Sequence, residues 1–388
     1  MALQRRNLIE LATTFLHLGA TAFGGPAAHI ALMERELVER RGWLERQEFL
    51  DLMGATNLVP GPNSTELAIH IGHRRAGMPG LVIAGICFIL PAALMVLFLA
   101  WGYVRYQSLP QISWVLTGVQ PIVIAVVVHA LWKLGRSALK DIFTVIIALG
   151  AGMLVVSGLS EVTVIFLTAL LGWIWAWRTK PASPPPAKPP ATPTQINSTP
   201  SFLLLSTAAP LTQPMLGQLF LIFLKIGSIV YGSGYVLLAF LREDFVERLQ
   251  WITDRQLLDA IAIGQLTPGP LFTSATFIGY LIQGVPGAMV ATLGIFLPSF
   301  IFVAILSVVL KKASRSPRAR VFLDSVNAAS LALMALVTWE LGRSSVADAG
   351  WLLTALLGGM ALLMLTTTKI NTIWLILAGA LAGYWLQS

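Results

Sequence analysis

Charge is what this sequence has least of. Only 11% of its 388 residues are Asp, Glu, Lys or Arg, while 56% are hydrophobic. A soluble domain carries about 25% charged residues. A deficit sustained along the whole chain therefore excludes an ordinary soluble enzyme and makes lipid the solvent. Cysteine is nearly absent too. The single Cys87 excludes an internal disulfide and any thiol metal site. There is no Walker loop, so ATP is not the energy source within this chain, and no His/Glu pair stands at ligand spacing on one helix face, so no metal or other cofactor is expected. No nucleophile–base pair marks a catalytic centre. No small-residue cleavage site follows the first apolar run, so Arg5 and Arg6 do not head a removable signal peptide.

What is present is a series of long apolar runs with a mean hydropathy of +0.76. They cover Gly80–Val104, Ile112–Trp132, Ile142–Val156, Val162–Trp177, Gly287–Leu310, Val321–Leu341, Trp351–Leu365 and Ile370–Leu386. A spanning helix needs roughly 20 apolar residues, whereas a barrel strand would alternate over short segments. The fold class is therefore an all-α polytopic membrane protein. The net charge of +8 lies mostly between the apolar runs, where Lys and Arg set orientation in the bilayer rather than bind nucleic acid.

Between 179 and 214 the chain is rich in proline and poor in anything that could form a core, which predicts a solvated linker between units 1–178 and 215–388. The two flanks match at an offset of 208: Gly19 on Gly227, Gly24 on Gly232, Trp43 on Trp251, Asp51 on Asp259, and Pro60-Gly61-Pro62 on Pro268-Gly269-Pro270. After one deletion Gly72 meets Gly279 and Pro91 meets Pro298. The halves are homologous repeats. The first leaves its broken region through the nearly neutral Arg105–Leu109, the second through Lys311, Lys312, Arg315, Arg318 and Arg320, the opposite bias that inverted topology predicts.

Pro-Gly-Pro inside an apolar segment breaks a helix, and such a break must face protein or a water-filled cavity. The helix beyond it starts with free N–H groups and a positive dipole end, which suits an anion. Candidate binding residues are Gly24, Gly25, Asn57, Gly61, Asn63, Ser64 and Thr65 in the first half, and Gly232, Ser233, Gln265, Thr267, Gly269, Thr273 and Ser274 in the second. The alternative is a kinked helix whose Ser and Thr hydroxyls cap freed carbonyls. Lys225 matches His17, and an ionisable residue in an apolar run is a functional candidate. Lys225 could offset a buried anion; His17, Glu66, His70 and Arg74 are candidates for proton or charge coupling. Glu34–Glu48 and Arg242–Asp254 read as solvated interfacial helices.

The strings FGGPAAHI (23–30), VERRGWL (38–44), LVPGPNSTELAI (58–69) and GQLTPGPLFTSATFIGYL (264–281) resemble the chromate ion transporter family. That resemblance implies a carrier in the inner (cytoplasmic) membrane that exports chromate, confers resistance and draws on the proton motive force, with sulfate as a related anion. The family pattern commonly places Gln where Asn57 stands and again near Glu66, and a run of glycines where this chain has Gly-Ser-Gly at 232–234. Partners expected are chromate or sulfate and the lipid bilayer, with no nucleic acid and with a homodimer left open. A sulfate carrier and a passive anion channel are the alternatives.

Overall fold

Pro110 and Pro317 each open a long helix, and they stand 207 positions apart. That coincidence is repeated along the whole molecule. The computed structural model describes residues 2–23, 25–56, 59–106, 109–178, 216–231, 234–313, 317–368 and 370–387. The whole of the linker expected at 179–214 lies outside these residues, as do Gly24, Asn57, Gly232 and Ser233. The first half consists of α1 (Ala2–Thr21), α2 (Gly25–Met33) running into a π-helical turn (Glu34–Arg40), α3 (Arg46–Thr56), α4 (Asn63–Tyr106), α5 (Pro110–Ala138), α6 (Ile142–Val156) and α7 (Glu161–Arg178). The second repeats it with α8 (Leu216–Ile229), α9 (Leu237–Leu241) and its π-helical turn (Arg242–Arg248), α10 (Asp254–Leu266), α11 (Ser274–Ala313), α12 (Pro317–Ala349), α13 (Trp351–Thr367) and α14 (Thr372–Gln387). No strand occurs among the described residues. The protein is an all-α membrane protein built of two homologous halves.

The 44 residues of α4 would reach about 66 Å as one straight helix, far beyond a hydrocarbon core of about 30 Å. They do not run straight. At Ala76 and Gly77 the backbone leaves helical geometry, Gly77 taking φ 63° and ψ −150°. That region is open essentially to glycine alone. The chain then folds back on itself. A Cβ on Gly72 would fall on the Gly80 carbonyl oxygen and within 2.5 Å of the Ala84 Cβ, whereas eight residues of continuous helix would separate Gly72 from Gly80 by about 12 Å. The second half repeats the reversal at Gln283 and Gly284 (φ 60°, ψ −148°), with Gly279 against Gly287 and Ala291. The arm 63–75 reaches only about 20 Å and α3 about 17 Å, so neither crosses the bilayer alone. The arms after each reversal carry the long apolar stretches. Four described helices are long and apolar enough to cross: Asn63–Tyr106, Gln111–Ala138, Leu271–Ile305 and Val321–Ala349.

The halves grip each other reciprocally. Helix α4 packs on α11 and α5 on α12, while α6 and α7 lean on α12 and α13 and α14 lean on α5. Small residues make the second pairing close. A Cβ on Gly118 of α5 would strike the Gly379 carbonyl of α14, and one on Gly172 of α7 would strike Ser325 of α12. Gly118 and Ser325, like Gly172 and Gly379, are equivalent at the 207 offset. Without a hydrophobic drive between helices in lipid, such close backbone approach is what holds them together. The phenylalanines Phe15, Phe49 and Phe88 fill the first half's core and Phe223, Phe240, Phe245 and Phe277 the second's. Leu94, Phe98, Leu356, Leu363 and Trp385 point outward, as lipid-facing residues must.

The charged stretches correct one expectation. They are not merely solvated helices, because each π-helical turn buries a carboxylate. Glu36 is 9% exposed and is bound by Arg40 (3.2 Å) and Arg41 (2.7 Å). Its equivalent Asp244 is 1% exposed and is bound by Arg248 (2.7 Å) and Lys225 (2.5 Å). Burial works against the Glu36 carboxylate, but the two guanidiniums outweigh it and hold the group below the usual carboxylate range. Arg242 joins Asp254, Glu247 and Glu340, tying the turn to α10 and α12. In these turns cations neutralise the buried carboxylate and offset the cost of taking it out of water.

Two outcomes follow from this packing. Gly72→Val should weaken the folded state by at least about 1–3 kcal/mol, since the obstructing atom is backbone, and thermal unfolding in detergent measures the loss. Lys225→Gln should also destabilise, by about 1–3 kcal/mol, because Asp244 keeps Arg248 alone; adding Asp244→Asn should recover part of the loss. A Lys225 that instead served a transported anion would lose affinity at unchanged stability.

Candidate functional site

Each Pro-Gly-Pro interrupts a helix: α3 ends at Thr56 and α4 begins at Asn63, while α10 ends at Leu266 and a single 3₁₀ turn (Leu271–Thr273) precedes α11. The central glycines take positive φ, 139° at Gly61 and 95° at Gly269, which their neighbouring prolines could not. Both breaks are buried.

The glycines do not hydrogen-bond within their own repeats. Gly61 N–H donates to the Val230 carbonyl (2.7 Å), and Gly269 N–H donates to the Ala22 carbonyl (2.9 Å). Ala22 and Val230 are themselves equivalent at the 208 offset and lie just past the ends of α1 and α8. Each break is thus stitched to the other half. Side chains repeat the exchange. A Cβ on Gly61 would meet Ser299 of α11, and a Cβ on Gly269 would lie 2.7 Å from the Cβ of Ala92 on α4, with Ala92 and Ser299 equivalent at the 207 offset. The two breaks are therefore parts of one cross-half centre.

The hydroxyls around the two breaks are not alike. In the second half Thr273 donates to the Pro270 carbonyl (2.8 Å), Ser274 to the Leu271 carbonyl (2.8 Å), and Thr267 to the Ile263 carbonyl (3.1 Å). A hydroxyl has one proton to give, so these three act as caps for freed carbonyls. Gln265 pairs with Tyr235. In the first half Thr65 is fully buried and its Oγ1 has no partner among the described residues. Ser64 Oγ lies 3.2 Å from His29 Nδ1 of α2. Asn63 opens α4 directly after Pro62. Of the hydroxyls named at the two breaks, that of Thr65 is the one without a partner among the described residues.

Glu66 and His70 follow one turn apart along the same helix and are both buried, at 0% and 2% exposure. Glu66 Oε1 accepts from Ser299 Oγ of the other half at 3.4 Å, while Oε2 and His70 Nε2 have no partner among the described residues. Tyr231, beside Val230, lies within electrostatic reach of Glu66.

Other residues singled out in the sequence lie elsewhere. His17 is exposed on α1. Arg74 is 64% exposed and pairs with Glu48 at 2.6 Å. Lys225 is taken up by Asp244. Gly25 begins α2 at φ 79° with open space where a Cβ would be. The cations that the sequence suggested as an anion cradle are thus engaged in ion pairs, or turned outward, and leave the breaks to backbone and hydroxyl donors.

Sequence reasoning missed another buried carboxylate. Asp259 of α10 is 0% exposed, and Tyr103 of α4 donates to its Oδ2 at 2.9 Å. Its counterpart Asp51 is exposed and bonded to Gln47. The pair had served only as a marker of the repeat. Nothing in the local sequence separates the buried aspartate from the exposed one. Ser299 and Tyr231 were missed for a related reason, since both reach the first break from the opposite half.

Comparison with known proteins agrees with this architecture. The chromate transporter family model matches residues 9–173 and 217–384, both halves without the linker. A chromate transport protein of Cupriavidus metallidurans is 32% identical over 380 residues, covering 97% of this chain and 92% of its own. A chromate transport protein of Pseudomonas aeruginosa is 31% identical over 97% of this chain and 91% of its own. A probable chromate transport protein of Synechococcus elongatus is 31% identical over 92% of this chain and 89% of its own. No solved structure matches. Two matched repeats, breaks stitched across them and relatives covered almost end to end lead to one conclusion: this chain belongs to the chromate transporter family.

Proposed function

We propose that this protein is a secondary carrier that exports chromate across the cytoplasmic membrane and thereby confers resistance to it. The observation that carries the reading is the reciprocal pair of backbone bonds, Gly61 to Val230 and Gly269 to Ala22. A centre assembled from both halves is one that rocking of the halves against each other can open first to one side and then to the other. The opposite charge bias of the two exits from the broken regions supports inverted halves, and so a centre near the middle of the bilayer.

At that centre the anion's oxygens meet the start of α4, with its positive dipole end and the hydroxyls of Ser64 and Thr65. Tetrahedral oxyanions suit such a site because several oxygens can accept at once. An inside-negative potential supplies the driving force, about 2.3 kcal/mol per elementary charge for each 100 mV or so, and a dianion that leaves without a proton gains roughly twice that. The similarity to chromate transport proteins favours chromate; sulfate, with the same shape and charge, is the natural competitor.

Purified protein in liposomes should carry labelled chromate in a saturable way, faster when the potential drives the dianion along its gradient, and with sulfate competing. Gly61→Val and Gly269→Val should abolish this transport. Rates unchanged in both variants would remove the breaks from the site. Thr65→Val should raise the half-saturating chromate concentration by about tenfold, the equivalent of one hydrogen bond. Thr267→Val, whose hydroxyl already caps a carbonyl, should change it less.

A further inference from the structure

Glu66 brings to the first break something the second break lacks. Counting back from the matched reversals, its place in the second half is taken by Thr273, a neutral hydroxyl. Glu66 does not point away from the break. A Cβ built on Gly61 would run into Glu66 Oε1 as well as Ser299 Oγ, so the carboxyl lies folded against the Pro-Gly-Pro backbone itself. It is fully buried, one of its oxygens has no partner, and no Lys or Arg among the described residues pairs with it. The buried carboxylates of the π-helical turns contrast with it, since each has two cations. The groups that face it are Ser299 from α11 and Tyr231 from the stretch after α8. Along its own helix stand Thr65 with a free hydroxyl, His70 one turn on, and Ser64 with His29 from α2. Nothing in this arrangement holds a negative charge for structural reasons.

A dianion seated at the start of α4 would lie beside this carboxyl. Two negative groups so close, and shielded from water, repel strongly. The neutral acid removes the repulsion and turns one oxygen from an acceptor into a donor that can face the anion. We propose that Glu66 is the proton site of this carrier: the chromate dianion binds with Glu66 as the neutral acid, so that a proton enters the centre from water with the anion and is returned when the anion leaves. This rests on the anion site proposed above. Because the linkage is reciprocal, anything that favours protonation of Glu66 also favours the anion. Apparent affinity for the dianion should therefore weaken by about tenfold per pH unit wherever the empty site holds a charged Glu66.

The test uses the full chain in detergent, weakly buffered with a pH-indicating dye at about pH 8, where chromate itself is the dianion. Adding chromate to the wild type should withdraw about one proton from solution per anion bound. Glu66→Gln should bind chromate with no proton uptake and with an affinity that is flat across the alkaline range. Glu66→Asp, which keeps an acid, should retain the uptake. The dye measurement is repeated in steps up to about pH 10, and absence of uptake by the wild type at every step overturns the proposal. So does equal uptake by Glu66→Gln, which would mean that the anion brings its own proton. If Glu66→Gln does not fold, the wild type and Glu66→Asp decide it, since an aspartate variant that binds chromate without taking up a proton contradicts the assignment. A wild type that binds no chromate at any pH is a different result, and removes the carrier reading itself.

Discussion

Backbone in lipid has no water to bond to, and the rest of this structure depends on how that constraint is met at two places. Each Pro-Gly-Pro interrupts a helix in a membrane protein, and each leaves a glycine N–H without a partner in its own repeat. Here the partner is a carbonyl just beyond the first helix of the opposite half: Val230 for Gly61 and Ala22 for Gly269. The break is tolerated because the other half covers it. The same requirement explains the tight packing nearby, where Ala92 and Ser299 press on Gly269 and Gly61 and leave no room for a Cβ. It also explains why the halves cannot be independent domains, since each completes the backbone of the other.

Four of the buried carboxylates are held in one of two ways. Buried carboxylates with a structural task have cations beside them, as Glu36 has Arg40 and Arg41, and Asp244 has Arg248 and Lys225. Two others, Glu66 and Asp259, have hydroxyl donors from the opposite half instead: Ser299 for Glu66 and Tyr103 for Asp259. Paired charges of the first kind hold elements in place whatever the state of the protein. Hydroxyl-bonded carboxyls of the second kind sit where a change of protonation and a shift between halves would be felt together. The duplicated backbone is nearly symmetric, but these side chains are not, and of the hydroxyls named at the two breaks the one without a partner among the described residues, that of Thr65, lies at the first.

Much of this was legible in the sequence. The apolar runs, the 208 offset with its one-residue deletion and the two breaks all come from composition and local spacing, which act through near neighbours and through the solvent. Glycine and proline at 60–62, 77–80, 268–270 and 284–287 specify backbone geometry on their own, and the structure reproduces it in duplicate. The resemblance to the chromate transporters was carried by the same strings.

What the sequence could not decide was where side chains point and what they meet across the halves. His17, Lys225 and Arg74 stood out because they are ionisable and near the motifs, yet the fold turns His17 outward and engages the other two with carboxylates. Thr267, Thr273 and Ser274 looked like anion donors and instead cap their own backbone. Asp51 and Asp259 are the same residue at the same repeat position, one exposed and one buried. Those differences come from contacts between residues more than a hundred positions apart, such as Ser299 with Glu66 and Tyr103 with Asp259. The paired breaks, and the helices around them, were therefore determined by the sequence through local backbone chemistry. Their union into one centre, and its asymmetry, was decided only by tertiary packing, because each break finds its missing hydrogen-bond partner in the other half.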